Sequence, residues 1–468
     1  MASPLRQLVC LLSSSVDAIE REFASQGLSF PDINEPADFN SVEEAAARSP
    51  VVVAASRVVV AAAAQLVAMV HLPSLYVIEH GITSYFAAAL NVVVTTGIVE
   101  LLREAGPKQG LHVDDIADKT ELDGEKLARI LRLLASKHIF TERAPDVFAN
   151  NRLSSAMDTE KSFEKVRSSP LDRHEGTSGL AALVEVQTGE GLKACGWTAD
   201  FLTDPATTGS SDITNIPFNK GHTDLTIWQW WEAPGHEYLK TRFNKAMDAF
   251  TSQERPESIL GGFPWSKLPR NSKIVDVAGG LGTVAAVIAA SNPDLRYVVE
   301  DRHSVIEHAK KFWKERLPKA NVSFEAFDLF DEQPVKDADV FIMRLIIHDW
   351  PEWHSVAMLR QLREAAKPST RLVVMEHVLD FACEDTTLAR HIPGAHTDET
   401  RAPAPLLPNF GAASQFSYLS DLLMMGLLNG QERTLVSFAQ LLQKANWFIE
   451  HVHSVPGSVF KQIVAKPV

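Results

Sequence analysis

The run Ile274-Val275-Asp276-Val277-Ala278-Gly279-Gly280-Leu281-Gly282 decides how this chain is read. β-Favouring residues flank one acidic side chain and lead into three glycines within four positions. Glycines clustered just past a strand end let the backbone approach a ligand where any Cβ would intrude. The carboxylate ahead of them suits a ligand that offers hydroxyls or an ammonium rather than another phosphate. The stretch predicts a nucleoside-bearing cofactor at a strand end in an α/β fold.

Downstream, strands alternate with helices. The pattern predicts strands over 273–278, 296–300, 322–326, 339–347 and 371–376, with helices over 283–290, 303–316 and 352–366. A helix from about Thr434 to Asn446 and a closing strand Phe460 to Ala465 complete the sheet. Such alternation is the signature of a doubly wound, Rossmann-like parallel sheet with crossover helices. The Pro-rich insertion Thr397 to Asn409 reads as a surface loop or lid. Breakers at Gly261-Gly262-Phe263-Pro264 and Pro269-Arg270-Asn271 precede the first strand, so the α/β domain spans 256–468 and a mostly helical domain spans 1–255.

Within the helical part, Asn91 to Ala105 reads as an apolar helix and His112 to Lys119 as a short second one. Leu127, Ile130, Leu131 and Leu134 recur at i, i+3, i+4, i+7 and mark a third. Ile139 to Glu142 and Val147 to Asn150 read as a hairpin, which with three helices makes a winged-helix-like unit. Acids and bases nearly balance across Leu111 to Leu153, so this unit predicts a scaffold rather than a DNA reader. Residues 170–225 are polar and predict helices joined by long loops; the cluster Trp228, Trp230, Trp231 opens a helix ending near Phe250.

Composition bounds the function. With 468 residues, two domains are expected, and 45% hydrophobic with 22% charged residues is ordinary for a soluble protein. A net charge of −14 argues against nucleic acid and against anionic membrane surfaces as partners. Cys10, Cys195 and Cys383 have no metal-type spacing, which predicts a reduced, cytoplasmic setting without disulfides. Residues 1–15 predict an amphipathic helix rather than a signal peptide. The Val/Ala-rich run 51–70 contains Arg57 and Gln65 and predicts a buried or dimer-packing helix rather than a membrane span.

Gly280-Leu281-Gly282-Thr283-Val284-Ala285 also satisfies the dinucleotide fingerprint, with Glu300-Asp301 near the next strand end, so a dehydrogenase is an alternative. Asp276 would repel a pyrophosphate but attract the cationic amino-acid end of S-adenosylmethionine. Asp328, in Ala326-Phe327-Asp328-Leu329-Phe330, suits an adenine amino group. Acidic residues at three successive strand ends favour the sulfonium nucleoside. The next predicted strand, 339–347, delivers His348-Asp349-Trp350 at its carboxyl end, where doubly wound sheets place ligands.

These features resemble the S-adenosylmethionine-dependent O-methyltransferases of the plant caffeate and flavonoid type and their fungal relatives. The family carries V-D-V-G-G-G-x-G, a later D-x-F and an H-D-W. Asn429-Gly430-Gln431-Glu432-Arg433-Thr434 is similar to its G-x-E-R-T, and Arg242 to Met247 is similar to its R-F-N-x-x-M. The resemblance implies a class I methyltransferase domain behind a winged-helix-like dimerisation domain, hence a homodimer. It implies His348 as general base, supported by Glu376 and Glu432, on a small phenolic or enolic acceptor. It implies S-adenosylmethionine as methyl donor, with S-adenosylhomocysteine as product and no metal. Asp276, Ala278, Gly279 and Gly280 would lie along the cofactor, Asp301 on its ribose, Asp328 and Leu329 at adenine, with Arg344 and Thr251 as further contacts. Met247, Trp231, Met424, Met425 and Asp349 are candidates for the acceptor side, with core packing or helix capping as the plainer roles.

The sequence departs from the family at Ala278, which replaces the first glycine, and at Arg344, which stands for lysine. The Pro-rich insertion is absent from the plant enzymes, so acceptor identity does not carry across. Two other readings stay open at this level. One is a methyltransferase fold reused for a pericyclic or dehydrative reaction, and the other is a non-enzymatic winged-helix ligand sensor.

Overall fold

The computed structural model describes residues 3–253, 255–395 and 401–468. The chain divides into two compact units, Met1–Ser210 with Thr214–Gln253, and Ser211–Ile213 with Glu254–Val468.

The first unit is helical. Ser3 and Ser49 cap the long helices Pro4–Ser25 and Pro50–Val70, each accepting from a first-turn N–H, with proline in the position where no N–H is needed. Phe23, Ala46 and Val52 bury together beside them. Helix Pro50–Val70 is the one among the described residues long and apolar enough to cross a membrane, and just 22% of its most apolar window is buried. Of the expected buried or dimer-packing helix, burial within the chain is corrected: Val60, Val67 and Val70 are exposed, and the exposed apolar run continues through Leu72, Val77 and Ile78.

The helix expected over Asn91–Ala105 is two helices, Ser84–Thr96 and Ile98–Ala105, because Gly97 turns left-handed at φ +76. Helices Val113–Thr120 and Gly124–Ser136 follow, and Leu127, Leu131 and Leu134 are buried as their spacing predicts. The hairpin Thr141–Ala144 and Val147–Ala149 gains a third strand, Leu111–His112, too short to show periodicity. Around Ile98, Leu102, Ile116, Leu131, Phe140 and Phe148 these elements share one core.

Residues 170–225 are helices and loops as expected, with nearly continuous helix over 180–203, including a π turn at Gln187–Gly191, before the loop at 204–216. Glu190 on that turn accepts from Arg242 (2.6 Å) and from Trp231 Nε1 (3.3 Å), so two residues of the sequence motifs serve a buried ion pair here. The single helix expected from Trp228 to Phe250 breaks at Pro234-Gly235 into Ile227–Glu232 and Glu237–Gln253, with Gly235 at φ +85.

In the second unit the elements relevant to function are β1 (Lys273–Val277), α1 (Thr283–Ser291), β2 (Arg296–Asp301), α2 (His303–Arg316), β3 (Val322–Ala326), β4 (Val340–Arg344), α3 (Glu352–Ala365), β5 (Arg371–Glu376), α4 (Gln415–Leu428), α5 (Leu435–Lys444), β6 (Trp447–Ser454) and β7 (Lys461–Pro467). They form a seven-stranded sheet in the order β6-β7-β5-β4-β1-β2-β3, parallel except for β7, which is antiparallel to both its neighbours. Strand β4 is covered on both faces: Phe341 and Met343 pack with Leu359 and Phe438, and Val340 and Ile342 with Val284 and Ile288. This is why it reads as an unbroken apolar run. At roughly 1.5–3 kcal/mol per fully buried aliphatic side chain, such strands hold the sheet centre without polar help. Two strands differ from expectation. Strand β4 stops at Arg344 rather than at residue 347, because Leu345 is left-handed at φ +55. Strand β6 was hidden by Glu450, His451 and His453, whose polar run and bulge obscure the alternation of buried Trp447, Ile449 and Val452.

Candidate active site

Two strand ends carry the site. After β4 the chain turns through Leu345 and enters a short 3₁₀ turn, Ile347–Asp349. Glu376, at the end of neighbouring β5 and fully buried, accepts from the backbone N–H groups of Ile346 (3.0 Å) and Ile347 (2.9 Å) with one oxygen. Those two amides follow a left-handed residue and have left the sheet ladder, so the carboxylate satisfies donors that would otherwise be orphaned. The turn points His348 inward, with its side chain 12% exposed.

The imidazole is held by a different glutamate. His348 Nδ1 lies 2.9 Å from Oε1 of Glu432, and Ser420 on α4 donates to the same oxygen at 2.8 Å. On the other side, Nε2 of His348 is 3.4 Å from Oδ1 of Asp349. The expectation that both glutamates support the imidazole thus resolves into two roles: Glu432 binds the ring, and Glu376 binds the turn. Asp349 does not cap the following helix, whose N-terminus is at Pro351 with no side-chain cap.

Electrostatics change what this histidine is at rest. Burial disfavours its charged form, but Asp349, Glu376 and Glu432 outweigh burial and push it up to about 10. At neutral pH the ring is therefore an imidazolium among carboxylates. Burial in turn raises Glu376 to about 7 and Asp349 to about 6, against the pull of His348, so the four groups titrate together. Buried His377, beside Phe460 and Ser417, goes the other way, down to about 4, chiefly by desolvation.

The second strand end is the glycine turn after β1. Ala278, Gly280 and Gly282 all have left-handed φ, +52, +60 and +74. A Cβ on Gly279 would come within 2.5 Å of the Asp276 carboxyl carbon, and one on Gly282 within 2.6 Å of Val299. A Cβ on Gly280 would meet nothing within 4 Å, so this side of the turn faces open space. Asp276 lies beneath the turn, 1% exposed, and accepts from Ala285 N in the first turn of α1. Burial pushes it up to about 7, against that hydrogen bond and the nearby Arg344 charge. Its position is that of a support for the turn rather than of an exposed wall. Asp301 at the end of β2 is half-buried and accepts from Gly280 N (2.8 Å) and Arg302 N (2.7 Å), which leaves lone pairs on both oxygens.

The chain is similar to known proteins along its length. Residues 201–393 match the O-methyltransferase domain, and residues 79–159 match the O-methyltransferase dimerisation domain. 4-O-methyltransferase 1 of Phanerochaete chrysosporium is 37% identical over 99% of this chain and 99% of its own length. An O-methyltransferase of Armillaria gallica is 38% identical over the whole of both chains. The chain belongs to the S-adenosylmethionine-dependent O-methyltransferases. A solved structure described as a pericyclic reaction enzyme superposes with a TM-score of 0.67 over 88% of this chain and 94% of its own, at 18% identity, which shows the shared fold alone. The full-length O-methyltransferase relatives do not favour a non-methylating use of the fold here.

S-adenosylmethionine is the cofactor of this O-methyltransferase, and the residues at the glycine turn fit it. The open face at Gly280 and the spare lone pairs of Asp301 suit a hydroxylated nucleoside, while the acidic surroundings oppose a pyrophosphate. Asp328 after β3 is exposed, with Oδ1 accepting from Phe330 N, and Leu329 packs against the core of its own unit. Arg344 lies with its guanidinium 4.9 Å from the Phe460 ring centroid.

The acceptor candidates fall in both units. Met424 and Met425 are half-buried on α4, the helix that also supplies Ser420. Trp231 is 4% exposed and stacks on Phe243, which accounts for it as core of the first unit; Met247 is exposed on helix Glu237–Gln253. Thr251 belongs to the same helix, and its side chain lies outside the described residues, as do residues 397–400 of the Pro-rich insertion. Sequence reasoning missed Ser420 and His377. Ser420 meets the site through a contact with Glu432 12 residues away, and His377 directly follows Glu376, a neighbourhood that could have marked it.

Proposed function

We propose that this O-methyltransferase methylates a hydroxyl of a small phenolic or enolic acceptor, with His348 as the general base. The observation that carries the reading is the 2.9 Å contact between His348 Nδ1 and the buried Glu432 carboxylate. With Nδ1–H committed to Glu432, Nε2, which lies 3.4 Å from Asp349 Oδ1, takes the acceptor's proton from the neutral form of the ring, and Glu432 stabilises the imidazolium. S-adenosylmethionine supplies an electrophilic methyl group on a sulfonium centre and leaves as S-adenosylhomocysteine.

The raised basicity of His348 fits this acceptor class. An imidazole pushed up to about 10 is close to a phenol, whose ordinary pKa is about 10, so the proton moves between near-equals. The cost is that little of the histidine is neutral at pH 7. Hydroxylated aromatic rings, whose acidity matches this base, are therefore the first panel to try.

We also propose that the enzyme works as a cytoplasmic homodimer. The dimerisation-domain match begins at residue 79, at the end of the exposed apolar run of Val70, Leu72, Val77 and Ile78. Three exposed, unpaired cysteines are compatible with a reducing compartment.

The test is product analysis by mass spectrometry: acceptors should gain one methyl group as S-adenosylhomocysteine appears. His348→Ala should lower turnover by ~10²–10⁴-fold while S-adenosylhomocysteine still binds. Turnover that survives in His348→Ala would reject the histidine as base.

A further inference from the structure

The segment after α4 does more than deliver Glu432. Asn429 leaves the helix left-handed at φ +55, and Gly430 then lies against the His348 turn. A Cβ on Gly430 would sit 2.1 Å from the His348 carbonyl oxygen and 2.9 Å from the Asp349 carbonyl carbon. Gln431 N donates to the His348 carbonyl oxygen at 2.9 Å.

Arg433 closes the arrangement from within. It is 3% exposed, and its guanidinium makes four hydrogen bonds to the His348 turn, its own segment and α3: Nη1 to the carbonyls of Ile347 (2.9 Å) and Gln431 (3.3 Å), Nη2 to the carbonyl of Trp350 (2.9 Å) and to Ser355 Oγ (3.4 Å). One planar group therefore binds the residue before His348, the second residue after it, and the residue before Glu432. A lysine offers one point charge and cannot fork across carbonyls of two segments in this way.

We propose that Arg433 is a positioning residue for proton removal, locking the His348 turn to the Glu432 segment so that imidazole and carboxylate meet at hydrogen-bond distance. This rests on His348 being the base. The motif residue next to Glu432 thereby gains a function of its own: it sets the geometry of a contact between side chains 84 residues apart.

The experiment uses the full-length enzyme and Arg433→Lys, with Gly430→Ala as a second variant that disturbs the same junction without touching a charge. For each, kcat and KM are followed across pH, and S-adenosylhomocysteine affinity and melting are measured alongside. Displacing a catalytic group by about an ångström costs on the order of 10²-fold in rate. Both variants are expected to lose kcat on that scale with cofactor affinity kept, and the acidic limb of the profile should move to lower pH as the imidazolium loses hold of its carboxylate. Losses that merely track the folded fraction, or a limb that stays in place, would make Arg433 structural and overturn the proposal. A misfolded Arg433→Lys beside a Gly430→Ala of wild-type behaviour overturns it too. His348→Ala run in parallel separates the two claims: activity there removes the base, whereas an inactive His348→Ala with normal Arg433→Lys kinetics removes the positioning role alone.

Discussion

Ala278 shows what one methyl group does at a turn built for glycine. Its φ of +52 is a conformation that costs an L-residue about 1–2 kcal/mol. Glycine would relieve that strain but loosen the unfolded chain by about 0.4–1 kcal/mol. Ala278→Gly is therefore expected to stabilise the protein slightly, read as a higher urea midpoint at fixed protein concentration. A lower midpoint would mean that the methyl group's packing outweighs its backbone strain. The sequence displays the missing glycine but gives no access to φ, so the backbone strain at this position is visible in the structure alone.

For His348 the sign of the pH response follows from its neighbours. Carboxylates keep the proton on the ring up to about 10, so the base form grows, and kcat should climb, as pH rises from neutral toward that value. Glu432→Gln removes one of those carboxylates and should bring the acidic limb to lower pH while reducing the plateau. A pH–rate profile of both proteins checks this, and an unmoved limb would assign the titration to another group. The same proton enters folding: a raised histidine contributes stability that is complete below its ordinary 6.5 and lost as pH passes about 10.

At the scale of elements, local patterns were readable and tertiary ones were not. The glycine turn and the alternation that gives β1 through β5 depend on neighbours in sequence, and they appear where the periodicity places them. The His348 turn was mistaken for strand because Leu345, Ile346 and Ile347 are all apolar, and hydropathy cannot see a left-handed residue. What holds that turn is Glu376 on the next strand and Arg433 on a segment more than 80 residues away. Glu376 and Glu432 were found by their place in motifs, yet their division of labour between turn and ring exists only in three dimensions. Gly97 and Pro234-Gly235 each cut a predicted helix in two. In both cases the breaker was visible in the sequence, and the apolar pattern running through it won the reading.

The whole molecule presents a contrast between overall charge and one uncharged surface. A chain of net charge −14 carries a stretch from residue 58 to 78 without a single Asp, Glu, Lys or Arg. An interfacial helix bound to lipid would favour basic residues along its polar face, and this stretch has none. A second copy of the chain, the partner implied by the dimerisation-domain match, is the occupant to test. Val77→Asp combined with Ile78→Asp is expected to convert the enzyme to monomers in sedimentation analysis. Flotation of the unmodified protein with vesicles, and no change of mass in the variant, would assign the surface to a membrane instead.

The exposed helix Pro50–Val70 has one more effect, and it concerns dilution. Apolar area that leaves water through self-association stabilises the fold by mass action, so the free energy holding the chain together depends on how much of the chain is present. Concentration thus becomes a variable of the enzyme's durability, and a scarce copy of this protein is a weaker one.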